Sequence, residues 1–218
     1  MKILSIILCF SCLIPLTSVM GQTYTAVLDQ QSTADMLASG GAFAVANNYS
    51  IAQTFTAEMA GTLSSVNVSV SKGSSTTANL TMSIWSTGTS GFPLAELASS
   101  TVAASTIPLV DQPVVVTFSD FSQAVTVRPG LMLAIRLDSP ALNTSPYQMR
   151  YDWSYDLPGQ YAGGRSYIYG STTLDQADTD FAFQTYVTPV PEPSGILLGL
   201  LSLSSFVFKS RRWLSFLR

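Results

Sequence analysis

Residues 62–70 read "TLSSVNVSV". Successive side chains of an extended chain point to opposite faces, so Val66, Val68 and Val70 share one side while Asn67 and Ser69 take the other. β-Branched residues at every second position suit a pleated, half-buried surface and fit no helical stripe. The same alternation recurs along the chain. In "NLTMSIW" (79–85), Leu80, Met82 and Ile84 stand opposite Thr81 and Ser83. "VVVTF" (114–118) aligns Val114, Val116 and Phe118. "LMLAIRLD" (131–138) sets Leu131, Leu133, Ile135 and Leu137 inward, with Met132, Ala134 and Arg136 outward. "YQMRYDW" (147–153) places Tyr147, Met149, Tyr151 and Trp153 against Gln148, Arg150 and Asp152. "DFAFQTYV" (180–187) places Phe181, Phe183 and Thr185 against Ala182, Gln184 and Tyr186.

Turn chemistry separates these runs: "SKGSS", "STGTSGFP", "RPG", "DSPALNTSP", "DLPG" and "AGG". Short strands with one polar face, punctuated by Gly, Pro, Ser and Asn, predict an all-β fold, an antiparallel β-sandwich. We expect about eight to ten strands in two sheets, arranged as a jelly roll. Apart from "QSTADML" (31–37), no stretch carries a helical period with caps.

Both ends of the 218-residue chain differ from its middle. Lys2 precedes an apolar run from Ile3 to Leu16, and Val19 and Gly21 are small. This order predicts a secretory signal over residues 1–21, cleaved between Gly21 and Gln22. Cys9 and Cys12 are the only cysteines and fall inside it; the chain has no histidine. A domain over residues 22–188 therefore has no thiolate or imidazole, which removes disulfides, Cys or His metal sites and Cys- or His-dependent catalysis. It holds twelve of the thirteen acids, all but Glu192, and five bases, for a net charge of −7. So acidic a domain has no electrostatic footprint for nucleic acid.

At the other end, residues 189–218 contain Pro191-Glu192-Pro193, an apolar run from Ile196 to Phe208, then Lys209, Arg211 and Arg212. Thirteen residues span about 20 Å as a helix, short of the roughly 30 Å hydrocarbon core. The basic cluster after it is placed as a membrane stop. Prolines on both sides of Glu192 keep that segment extended and separate from the helix.

This tripartite order, together with the leading signal, resembles the PEP-CTERM sorting signal of bacterial exosortase substrates. The resemblance implies export across the inner membrane and transient anchoring through the C-terminal segment. Handling by an exosortase-type membrane processing enzyme and delivery to the cell surface or extracellular matrix would follow. Pro191, Glu192 and Pro193 match the recognition motif, Ile196–Phe208 the membrane segment, and Lys209, Arg211 and Arg212 the basic stop. "WLSFLR" after the arginines is a departure, since such tails tend to end soon after the basic cluster. The segments "AQTFTAEMAGTLSSVNVSVSKG", "GFPLAELASSTV", "VTFSDFSQAVTVRPGLMLAIRL", "YAGGRSY" and "TDFAFQTY" are similar to choice-of-anchor type R β domains. That likeness implies a surface-displayed sandwich and transfers no activity or cofactor.

Two features inside the domain raise ligand questions. "YDWSYDLPGQYAGGRSYIYG" is rich in aromatics. Trp153, Tyr155 and Tyr161 either pack inward, as alternate aromatics of strands do, or form an exposed platform for the rings of extracellular polysaccharide. "LDQADTDF" offers Asp175, Asp178 and Asp180, which either hold Ca²⁺ or form an acidic turn. The EF-hand glycine and closing Glu are missing. The acids are too dispersed to nominate a glycosidase pair. The expectation is a non-enzymatic exported protein, with a carbohydrate-binding module as the alternative.

Overall fold

The computed structural model describes residues 24–32, 36–37, 41–109, 112–142, 149–157, 159, 161–169, 173–176 and 179–190. The signal segment with Gly21 and Gln22, the sorting motif Pro191-Glu192-Pro193, the apolar run, and Lys209, Arg211 and Arg212 lie outside the described residues. Among those described, no helix is long and apolar enough to cross a membrane.

The strands are β1 (Val27–Gln31), β2 (Gly41–Val45), β3 (Ser50–Thr56), β4 (Gly61–Lys72) and β5 (Leu80–Thr87). They continue with β6 (Pro93–Val102), β7 (Val114–Phe118), β8 (Thr126–Val127), β9 (Met132–Asp138) and β10 (Tyr151–Asp156). The last are β11 (Ser166–Tyr169), β12 (Thr173–Gln176), β13 (Asp180–Phe181) and β14 (Phe183–Pro189). One 3₁₀ turn, Ala104–Thr106, is the only helical element among the described residues. The described residues form fourteen strands rather than eight to ten, because pieces as short as β8 and β13 carry no readable alternation. Gln31, inside the stretch that hinted at a helix, ends β1.

All pairings are antiparallel, in two sheets consistent with a β-sandwich. In one, the order is β1-β14-β4-β10-β13, with β2 on β10 and with β7 and β8 on β4. In the other it is β12-β11-β3-β9-β5-β6. The inner faces meet in one apolar cluster. Val66, Val68, Phe118 and Trp153 come from the first sheet; Phe55, Met82, Leu133 and Ile135 come from the second.

Alternation predicts the inner face correctly at Val66, Val68, Val70, Leu80, Met82, Ile84, Leu133, Ile135 and Leu137, all buried. It mispredicts burial at Ala134, which faces outward yet is fully covered. Ala134 pairs with Thr54 of β3, and the backbone of residues 163–165 lies over that row. A Cβ on Gly164 would stand 1.9 Å from the Thr54 carbonyl oxygen, so only glycine permits this close approach. Arg165 N–H donates to Thr54 Oγ1 at 2.8 Å, and Thr56 Oγ1 donates to the Gly163 carbonyl at 2.8 Å.

Candidate binding groove

The outer face of the six-stranded sheet is built by register. Arg136 of β9 pairs with Ser83 of β5 on one side and Ala52 of β3 on the other. Trp85 sits diagonally on β5, opposite Ala134. Tyr169 of β11 pairs with Ser50 of β3, one strand further away. Ser50 and Ala52 are small, which lets Tyr169 lean across β3 toward β9. Arg136 is thereby held between two rings, its Cζ 5.1 Å from the Trp85 centroid and 4.9 Å from that of Tyr169. Such cation–π contacts strengthen where water is excluded.

Two further contacts fix the cluster. Arg136 Nη2 donates to Asp138 Oδ1 at 3.0 Å, with 26 % and 39 % of the two side chains exposed. Trp85 Nε1 donates to Ser83 Oγ at 2.7 Å. Arg136 Nε is buried without a hydrogen-bond partner among the described residues. Burial pushes the Tyr169 phenol up to about 12; Arg136 opposes that rise, and Tyr167 and Asp138 add to it. Tyr169 therefore remains a neutral donor across the ordinary pH range.

Arg136, Asp138, Tyr169 and Ser83 of this cluster line a groove of about 680 Å³, and Trp85 holds the guanidinium without lining it. Asn47, Asn48 and Tyr49, from the turn between β2 and β3, form one wall, and Glu96 and Ser99 of β6 contribute the far side. Tyr49 is 41 % exposed. Among the described residues the lining thus combines aromatic rings, amides, hydroxyls, one cation and two carboxylates. Its chemistry is that of multipoint hydrogen bonding beside a ring surface.

Of the two readings of Trp153, Tyr155 and Tyr161, inward packing is the one observed. Trp153 is fully buried, its ring 4.8 Å from Phe181, and its Nε1 donates to the Ala182 carbonyl at 2.9 Å. Tyr155 packs on Phe43 at 5.0 Å and on Phe181 at 6.0 Å. Tyr161 stands edge-on to Phe183 at 5.2 Å. Its hydroxyl donates to Gln30 Oε1 at 2.9 Å and accepts from Thr56 N–H at 3.3 Å. No exposed coplanar face forms from these three. The reason is the alternation itself: Tyr151 and Trp153 share the inner face of β10, and an aromatic row there closes the core.

Of the calcium candidates, Asp178 lies outside the described residues, and Asp175 is placed only by its backbone, opposite Tyr167. Asp180 is 4 % exposed and occupied by protein donors. Its Oδ2 accepts from Tyr161 N–H at 2.7 Å and its Oδ1 from Gln53 Nε2 at 3.2 Å. Burial raises its pKa, while those two hydrogen bonds pull it down.

Trp85, Arg136 and Tyr49 were not singled out from the sequence. A signal existed for two of them. Alternation puts Trp85 on the polar face with Thr81 and Ser83, and it puts Arg136 outside. Nothing local shows that β5, β9, β3 and β11 lie side by side. No family model matches the chain, and no curated protein is similar to it.

Proposed function

We propose that this chain is an exported, non-enzymatic surface or extracellular-matrix protein, sorted through Pro191-Glu192-Pro193 by an exosortase-type membrane enzyme. In this reading its jelly-roll-like sandwich works by binding rather than turnover. The observation that carries the proposal is the order at the end of the chain: Pro-Glu-Pro, a short apolar run and a basic cluster, all behind a β domain that has no cysteine or histidine. The apolar run is short for a permanent span, which favours transient retention and handling by another protein. The groove supports binding over turnover. Asp138 is ion-paired through Oδ1 with Arg136, and the carboxylates whose pKa burial raises, Asp29, Asp152 and Asp180, lie outside the groove.

Replacing Pro191-Glu192-Pro193 by three alanines tests the sorting in a host that encodes an exosortase. The expected outcome is that the chain keeps its tail by intact mass and stays in the membrane fraction. Tail removal identical to that of the unaltered chain overturns the sorting role of the motif.

A further inference from the structure

We propose that the groove on the outer face of the six-stranded sheet is a binding site for a neutral glycan. The sugar lies against Tyr49 and Tyr169 beside Arg136, with Asp138 and Glu96 accepting hydrogen bonds from its hydroxyls. This inference rests on the reading of the sandwich as a binding domain and names its ligand class.

Charge eliminates the main competitors. Among the described residues the groove holds one cation, Arg136, already paired with Asp138 at 3.0 Å, and a second carboxylate on Glu96. An anionic polymer would have to displace Asp138 and then lie beside two carboxylates, which repel it. A purely apolar ligand would strip water from those groups and return no hydrogen bonds. A sugar ring meets both conditions. Each of its hydroxyls donates and accepts, so it can donate to a carboxylate while accepting from a guanidinium or amide N–H. Such bonds to charged groups are stronger than neutral ones. The C–H face of the ring also offers apolar area to an exposed aromatic, and Tyr49 is 41 % exposed at its turn.

Preorganisation strengthens the case. Trp85 and Tyr169 hold the guanidinium from both sides, and Asp138 fixes one of its edges. Its donors are therefore ordered before any ligand arrives, and little side-chain entropy remains to be lost on binding. All four of these residues stand on paired strands rather than on loops, which keeps the spacing rigid. At about 680 Å³ the groove lies within the size range of small-ligand sites.

The test uses the detergent-solubilised full chain against dextran, galactomannan and xylan as neutral polymers and polygalacturonate as an acidic one. Binding is read by affinity electrophoresis and calorimetry. At least one neutral polymer is expected to bind, and polygalacturonate is not. Tyr49→Ala and Glu96→Gln, both at exposed positions, should each weaken binding about tenfold with an unchanged thermal midpoint. Arg136→Lys keeps the charge but loses the planar stack, and should weaken binding as well. The proposal is overturned if no neutral polymer binds, if polygalacturonate binds best, or if Tyr49→Ala and Glu96→Gln both leave affinity unchanged. Tail processing is scored separately by intact mass. A chain that is processed normally yet binds no neutral polymer overturns the glycan site alone.

Discussion

Gln53 stands on the inner face of β3 between Ile51 and Phe55, where an apolar side chain would be expected. It is fully buried, yet its amide is satisfied across the sandwich. Nε2 donates to Asp180 Oδ1 at 3.2 Å, and Oε1 accepts from Phe181 N–H at 3.0 Å. One side chain therefore ties β3 of one sheet to β13 of the other. Gln53→Leu would leave a buried carboxylate oxygen and a buried N–H without partners. An unsatisfied buried group costs about 1–3 kcal/mol, so the substitution should remove about 2 kcal/mol or more. Urea unfolding checks this, and a loss under about 0.5 kcal/mol would mean that water or a rearrangement satisfies both groups. Sequence gave no hint of this residue's role. A glutamine in a strand is usually a surface residue, and its two partners on β13 lie more than 120 positions away.

At the scale of the element, β4 shows how far alternation can be read. Leu63 and Val66 are both buried although an odd number of positions separates them. The register explains it: Tyr186 pairs with Ser65 and Val187 with Leu63, so Ser64 is an extra residue, a β-bulge. Deleting Ser64 should give a regular strand in which Leu63 and Val66 still face inward, and the fold should survive. Deleting Asn67 instead makes Val66 and Val68 adjacent, so one of them must turn outward. We expect soluble, cooperatively melting protein from the first deletion and none from the second. Equal behaviour of the two would show that facing does not control this strand. The alternation of β5, β9 and β10 was legible because it follows from backbone geometry alone. The same rule that made Trp153 readable as an inward residue disqualifies it as an exposed platform. Short strands such as β8 and β13 were not legible, since two residues have no period.

Across the whole molecule, burial acts on three dispersed acids. Asp29, Asp152 and Asp180 all take up their protons above the ordinary aspartate value of 3.8, mainly because burial disfavours the charged form. For each, the folded state binds a proton more readily than the unfolded chain does. The stabilisation from protonation is complete below 3.8 and is lost as pH rises through the raised folded values. Stability should therefore increase as pH falls from neutral toward about 4, with the net −7 domain also relieved of self-repulsion. Denaturant midpoints across this range check the slope. Asp152→Asn, which removes a titrating group 2.9 Å from Arg150, should flatten it. A midpoint that falls steadily with pH, or a slope unchanged in Asp152→Asn, would contradict this account.

The sequence by itself determined that the alternating runs of β4, β5, β7, β9 and β10 are strands, which of their side chains point inward, and that both ends of the chain differ in character from its middle. These are local properties, since pleating alternates faces whatever the neighbours are and composition is visible without a fold. Only the tertiary structure decided which polar faces share a surface. Trp85, Arg136 and Tyr169 are dozens of residues apart and meet because β5, β9, β3 and β11 are consecutive in one sheet. That order arises because the chain passes repeatedly from one sheet to the other, an arrangement selected by burial of the whole core rather than by any single segment.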